Sequence, residues 1–192
     1  MILEQGLTTE PHVALFGGAF YFLRHGESEF NRLKLIAGST DVELNDTGRA
    51  QAHAAVDRVR PLGIAHVVSS GLRRARETAS IVADALGLPH TVLLGLAERN
   101  WGVLEAQPQS SRGPGETPAG AETVDQFVSR TRAALAEIDA TRTPLIVAHS
   151  GTFRVLCRLL ALDAGGEAIT NCHPVRFVPP QREGAGWSKQ LL

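Results

Sequence analysis

The residues able to do chemistry in this chain stand where apolar runs stop. Ala19-Phe20-Tyr21-Phe22-Leu23 gives way to Arg24-His25-Gly26-Glu27-Ser28, and Pro144-Leu145-Ile146-Val147-Ala148 gives way to His149-Ser150-Gly151. Each run has the length of a buried strand, so each histidine marks the point where a strand becomes a loop. In an open α/β sheet, ligands bind in the crevice at the carboxyl ends of the strands. Two histidines so placed are a candidate pair for one site. The arginine before His25 presents a rigid fork of donors suited to phosphate oxygens. A neutral imidazole nitrogen can attack phosphorus and carry the phosphoryl group covalently, which splits one hard step into two. The residues point to phosphoryl chemistry on a histidine, with no metal required.

Arg24-His25-Gly26-Glu27-Ser28, with Asn31 three residues on, resembles the signature of the histidine phosphatase superfamily, the phosphoglycerate-mutase-like group. Four further segments match in order: Leu44 to Ala52, Ser70 to Ala79, Leu96 to Glu105, and Val147 to Gly151. One departure is Gly71, where the family commonly has proline. The resemblance implies an α/β fold, a three-layer αβα sandwich around a mostly parallel sheet with one antiparallel strand. It also implies a metal-independent enzyme without a cofactor, acting on a small phosphorylated metabolite through a phosphohistidine.

Carried onto this sequence, the resemblance makes His25 the nucleophile. Its other ring nitrogen is expected to donate to a backbone carbonyl or another acceptor, which fixes the tautomer. Arg24 and Arg74 are the expected clamps on the phosphoryl oxygens, through contacts that strengthen as charge shifts in the transition state. His149 is expected to donate to the same oxygens. Asn31 matches a phosphate-contacting asparagine, and could equally cap its turn. Ser150 and Gly151 open a helix whose amino-terminal amides favour an anion. Glu98 is the candidate general acid: an alkoxide leaves poorly, and an aligned acid contributes about 10²–10⁴-fold. As a carboxylate it would then activate water. Glu105 and Glu27 compete for that role. Arg73 and Arg76 read as solvated helix positions, and Thr78 is ambiguous, with packing its own helix as the plain reading. His12, His53, His66, His90 and His173 share no motif and are assigned structural or exposed roles. Trp101 and Trp187 are read as core or rim residues.

Phosphatases and mutases of this family share the chemistry up to the phosphohistidine, and differ in whether water or a product hydroxyl takes the phosphoryl group. The related mutases carry a longer segment after the acid, which closes the site. Here the stretch from Glu98 to Glu122 is short and rich in Gly and Pro. That favours a phosphomonoester hydrolase over a cofactor-dependent phosphoglycerate mutase. An inactive binding module of the same fold would be marked by loss of a histidine, and both are present.

At 192 residues the chain suits one domain with a sizeable core. A net charge of −1 supplies no field that would draw in nucleic acid or an anionic membrane. The basic residues are 17 Arg and 2 Lys, a compositional bias that denies any single arginine a role merely for being Arg. Cys157 and Cys172 make no disulfide framework, and Cys157 falls on the apolar face of a helix as a buried thiol. No signal-like leader or membrane-length apolar run appears, so a cytoplasmic protein is the expectation. The physiological substrate and the oligomeric state are not legible.

Residues 1–18 read as an N-terminal extension and 19–192 as the single domain. Val13-Ala14-Leu15-Phe16 could pair with residues 19–23 as a hairpin across Gly17-Gly18. Asn45 or Asp46 caps a helix with Ala50, Ala54, Ala55 and Val59 at helical spacing, ending at Pro61. Strands are expected at 65–69, 91–94, 144–148 and 172–178. Helices are expected at 72–86 (ended by Gly87), 122–140 and 152–162. Segment 105–121 reads as a surface loop long enough to be a lid.

Overall fold

The computed structural model describes residues 13–113, 115, 117–166 and 169–192. Six strands form one sheet: β1 (Phe20–Arg24), β2 (His66–Ser70), β3 (His90–Leu93), β4 (Pro144–Ala148), β5 (Pro174–Val178) and β6 (Ser188–Leu191), in the order β3-β2-β4-β1-β5-β6. The pairs β2/β3, β2/β4 and β1/β4 are parallel, whereas β5 is antiparallel to both β1 and β6. Of these six, β5 alone runs against the rest. The sheet is mostly parallel, with helices on both faces.

The central strands are apolar on both faces because helices cover both. Phe20, Phe22, Ile146 and Ala148 pack with Leu135, Phe153 and Leu156 on one side. Tyr21, Leu23, Leu145 and Val147 pack with Ala52, Val56, Ala79 and Val82 on the other. The first side is closed by α4 (Val124–Ala136) and α5 (Ser150–Leu159), the second by α2 (Asp46–Val59) and α3 (Arg73–Leu86), while α1 (Glu29–Arg32) is one short turn after β1. Asn45 caps α2 by accepting from the Gly48 amide at 2.8 Å. Gly87 ends α3 with φ 64°, a left-handed value that glycine takes without strain.

Three expectations need correction. The run Val13 to Phe16 forms no hairpin; Ala14–Gly17 is a 3-10 turn that buries Leu15 in the core. Both edges of β1 are already taken by β4 and β5, which leaves no place for a hairpin partner. The buried stripe of α2 is Ala52, Ala55, Val56 and Val59, while Ala50 and Ala54 face solvent. Alanine suits either environment, so its spacing alone could not choose the face. Strand β6 escaped the sequence reading because all four of its residues are exposed. Of the segment read as an extension, residues 1–12, with His12, lie outside the described residues, and Val13 belongs to the core. Among the described residues, no helix is long and apolar enough to cross a membrane.

Candidate active site

Register brings the two histidines together. β1 and β4 pair with Leu23 opposite Val147 and Arg24 opposite Ala148, and a histidine follows on each. The His25 and His149 ring centroids are 5.2 Å apart, with both residues buried. The His25 amide donates to the Ala148 carbonyl at 3.0 Å, and the Asn171 side-chain amide donates to the His25 carbonyl at 2.6 Å. His25 Nδ1 lies 2.7 Å from the Gly26 carbonyl oxygen. A carbonyl only accepts, so the proton belongs on Nδ1, and Nε2 keeps its lone pair. That lone pair faces Arg74 Nε at 3.3 Å.

The loop after His25 is held by its glycines and by Thr78. A Cβ on Gly26 would run into the Gly48 backbone, and one on Gly48 into the Glu27 carbonyl, so the two segments meet main chain to main chain. The Gly26 amide donates to Thr78 Oγ1 at 3.0 Å, and that hydroxyl donates to the Arg74 carbonyl at 2.7 Å. Thr78 therefore does more than pack its helix. It ties the loop that orients His25 to the turn of α3 that carries Arg74.

Arg74 is fully buried, and its Nη1 and Nη2 donate to the Thr40 and Gly38 carbonyls, each at 2.8 Å. Burial pushes its pKa down to about 10, which leaves it cationic at neutral pH. Arg24 donates from Nη1 to the Ile169 carbonyl at 2.7 Å. Arg24 Nε, His149 Nδ1 and Ser150 Oγ are buried with no partner among the described residues. Orphaned buried donors are costly, and an anion would satisfy them. His149 Nε2 lies 2.8 Å from Ser70 Oγ, which already accepts from the Leu72 amide at 3.2 Å. With the Ser70 hydroxyl donating to His149 Nε2, the His149 proton sits on the unpartnered Nδ1.

Burial first, and the Arg74 guanidinium next, hold both histidines well below their ordinary value of 6.5. Each is a neutral imidazole at neutral pH, as a nucleophile must be. The consequence for stability has a definite sign. The unfolded chain takes up protons near pH 6.5 and the folded one refuses them, so stability is whole above that value and falls below it. The expected loss approaches about 1.4 kcal/mol per pH unit for each histidine. Thermal unfolding followed from about pH 7 to about pH 5 checks this, and a His149→Asn variant should flatten the decline. A slope the same in both proteins would contradict it.

Glu98 follows a 3-10 turn (Leu94–Leu96) that Arg130 ties down. Arg130 Nη1 donates to the Gly95 and Ala97 carbonyls at 2.8 and 3.1 Å, while its guanidinium pairs with Glu122 at 2.8 Å. The stretch leading to Glu98 is thereby fixed. Glu98 accepts from the Arg99 amide at 2.8 Å and from the Gly151 amide at 2.9 Å. The amino end of α5 does hold an anion, but its Gly151 amide is taken by the protein's own carboxylate. Glu105 is held by more donors than Glu98. It accepts from the Ser39 amide at 2.7 Å, the Ser39 hydroxyl at 2.8 Å and the Trp101 amide at 3.1 Å, and also from the Thr40 hydroxyl. Burial works against its charge, but those hydrogen bonds prevail and hold its pKa below the usual value. Glu27 accepts from Asn45 Nδ2 at 2.8 Å.

Arg24, His25, Asn31, Arg74 and Glu98 line one chamber of about 70 Å³, with Ser150, Gln109 and Arg112. His149 stands behind it against His25. Asn31 closes a cap, its Oδ1 accepting from the Ser28 amide and hydroxyl at 3.1 Å, and the residue also borders the chamber. Arg73 and Arg76 face solvent. Ser70, Asn171 and Arg112 went unassigned in the sequence reading. Ser70 carried a signal, since it opens a matching segment; Asn171 and Arg112 carried none.

The model of the histidine phosphatase superfamily, branch 1, matches residues 20–178. The chain belongs to that superfamily. Among curated relatives, a "Probable phosphoglycerate mutase GpmB" of Yersinia pestis (strain Pestoides F) is 37% identical over 174 residues, covering 79% of this chain and 80% of the relative. Among solved structures, a mycobacterial glucosyl-3-phosphoglycerate phosphatase in complex with VO3 superposes with a TM-score of 0.77 at 25% identity, covering 91% of this chain and 98% of that one. A second solved structure, TTHB049 from Thermus thermophilus, superposes at 0.71 with 26% identity, covering 85% and 95%. The superfamily is enzymatic, and its relatives here carry both phosphatase and mutase names.

Proposed function

We propose that the chain is a phosphomonoester hydrolase working through a phosphohistidine on His25, with a small phosphorylated metabolite as substrate. In the first step His25 Nε2 attacks phosphorus, the P–N bond forms, and the ester P–O bond breaks. Glu98 supplies the proton that the departing oxygen needs. Arg24, Arg74, Asn31 and the Nδ1–H of His149 surround the three equatorial oxygens as their charge redistributes. In the second step water attacks the phosphohistidine, Glu98 as carboxylate takes its proton, and inorganic phosphate leaves with His25 regenerated. The arginines provide the charge compensation throughout.

The observation that favours water over a second substrate as acceptor is the cover. Residues 106–113, which border the chamber through Gln109 and Arg112, are all exposed. A mutase must hold its phosphoenzyme away from water until an alcohol returns, and a short exposed cover does this poorly. The competing reading is phosphoglycerate mutase, favoured by the name of the 37% identical relatives. Incubating the protein with 3-phosphoglycerate, with and without a bisphosphorylated primer, and with other phosphomonoesters, separates the two. The expected result is free phosphate from at least one ester, undiminished in a chelator. Primer-dependent isomerisation without net phosphate release would establish the mutase instead.

A further inference from the structure

The chamber at His25 measures about 70 Å³, room for a phosphoryl group and little else. The alcohol part of the ester must therefore lie outside it. Beside the chamber opens a second cavity of about 380 Å³, and the two share Glu98, Ser150 and Arg112. Glu98 is the group assigned to the bridging oxygen. The scissile bond then straddles the junction, and the leaving group has to run past Glu98 into the larger cavity. Sites of roughly 300–1,000 Å³ take drug-sized ligands, so a three-carbon alcohol would leave most of this one empty.

The wall chemistry adds a second constraint. The walls are apolar where the α4 side chains Val124 and Phe127 meet Trp101. The Arg99 and Arg112 guanidiniums lie over the Trp101 ring, at 4.6 and 4.5 Å from its centroid, which fixes the indole in the wall and holds both charges beside it. Arg158 of α5 adds charge at the edge, 3.8 Å from a solvent-exposed Asp125 carboxylate. Among the described lining residues Glu98 is the one carboxylate, and four are arginines. A cavity with apolar walls and cationic edges suits a bulky body ending in a negative charge.

Building on the hydrolase reading, we infer that the substrate is the phosphate ester of a large alcohol, with a ring or apolar body and a second anionic group, carboxylate or phosphate. Phosphates of primary alcohols keep the leaving-group chemistry constant while size and charge vary. Suitable probes are glycerol 3-phosphate, 3-phosphoglycerate, adenosine 5′-monophosphate, its 3′-O-succinyl ester and adenosine 3′,5′-bisphosphate, with phosphate release and the nucleoside product both measured. The bulky esters should exceed glycerol 3-phosphate in kcat/KM by at least about tenfold, the order of effect that filling an apolar pocket gives. The two anion-bearing adenosine esters should lead, and their ranking tells carboxylate from phosphate. Val124→Trp, at a half-exposed position, should cut the preference for bulky over small esters by about tenfold by occupying the cavity. Arg158→Glu should cut the preference for anion-bearing over plain adenosine esters. Equal turnover of small and bulky esters, or variants that leave both ratios unchanged, would overturn the inference while leaving the hydrolase reading standing. Absence of phosphate from every ester would bring down both.

Discussion

Replacement of His25 by alanine is expected to remove turnover and phosphate incorporation together. Nε2 of His25 carries its lone pair toward the chamber, where it accepts from Arg74 Nε, and the ring is held by the Nδ1 bond to the Gly26 carbonyl. His149 is less suited, because it is not among the residues lining the chamber and its Nε2 lies against Ser70 Oγ. Losing the nucleophile of a covalent enzyme costs on the order of 10⁶-fold in kcat. Rapid quench with a labelled ester, followed by isolation of the protein, reads incorporation directly. Labelled phosphate still trapped in His25→Ala would move the nucleophile elsewhere. The variant should fold, since the smaller side chain leaves the His25 amide and carbonyl bonds to Ala148 and Asn171 untouched.

Replacement of Glu98 by glutamine is expected to produce a loss that depends on the ester. For alkyl phosphates the first step should slow by about 10²–10⁴-fold, because the alkoxide then departs without a proton. For p-nitrophenyl phosphate the loss should be much smaller, because a stabilised phenolate needs little help. The contrast matters because glutamine also disturbs structure: the carboxylate accepts from both the Arg99 and Gly151 amides, and an amide NH₂ cannot accept from either. A purely positional defect would slow both esters alike. Single-turnover measurements isolate the bond-breaking step, and equal losses there would leave Glu98 as a positioning residue.

Much of the site was legible because its residues sit at strand ends within ordered motifs. His25 and His149 each follow an apolar run, and the strands bearing them become neighbours in the sheet. A cap for α2 at Asn45 or Asp46 and the terminating glycine of α3 were also legible, since both are local matters of backbone geometry, and the structure gives the cap to Asn45. The contributions of Thr78, Ser70 and Asn171 were not. Each acts through one hydrogen bond to a residue distant in sequence, and residue type reports such a bond only weakly. Glu27, Glu98 and Glu105 also look alike in sequence, and only the assembled fold shows that, of the three, Glu98 lines the chamber.

By itself the sequence determined the alternation of strands and helices, the strand-end placement of both histidines, and the supply of arginines for an anion. These follow from hydrophobic periodicity and local turn chemistry, which depend on near neighbours in the chain. Tertiary structure alone decided that β1 and β4 lie side by side, that no hairpin forms before β1, and that the α5 amino end grips Glu98. It also decided that the chamber at His25 lies beside a cavity several times larger, with Glu98, Ser150 and Arg112 shared between them. Those are outcomes of packing between segments far apart in the chain, where close approach, burial and donor–acceptor matching are settled only once the whole sheet is assembled.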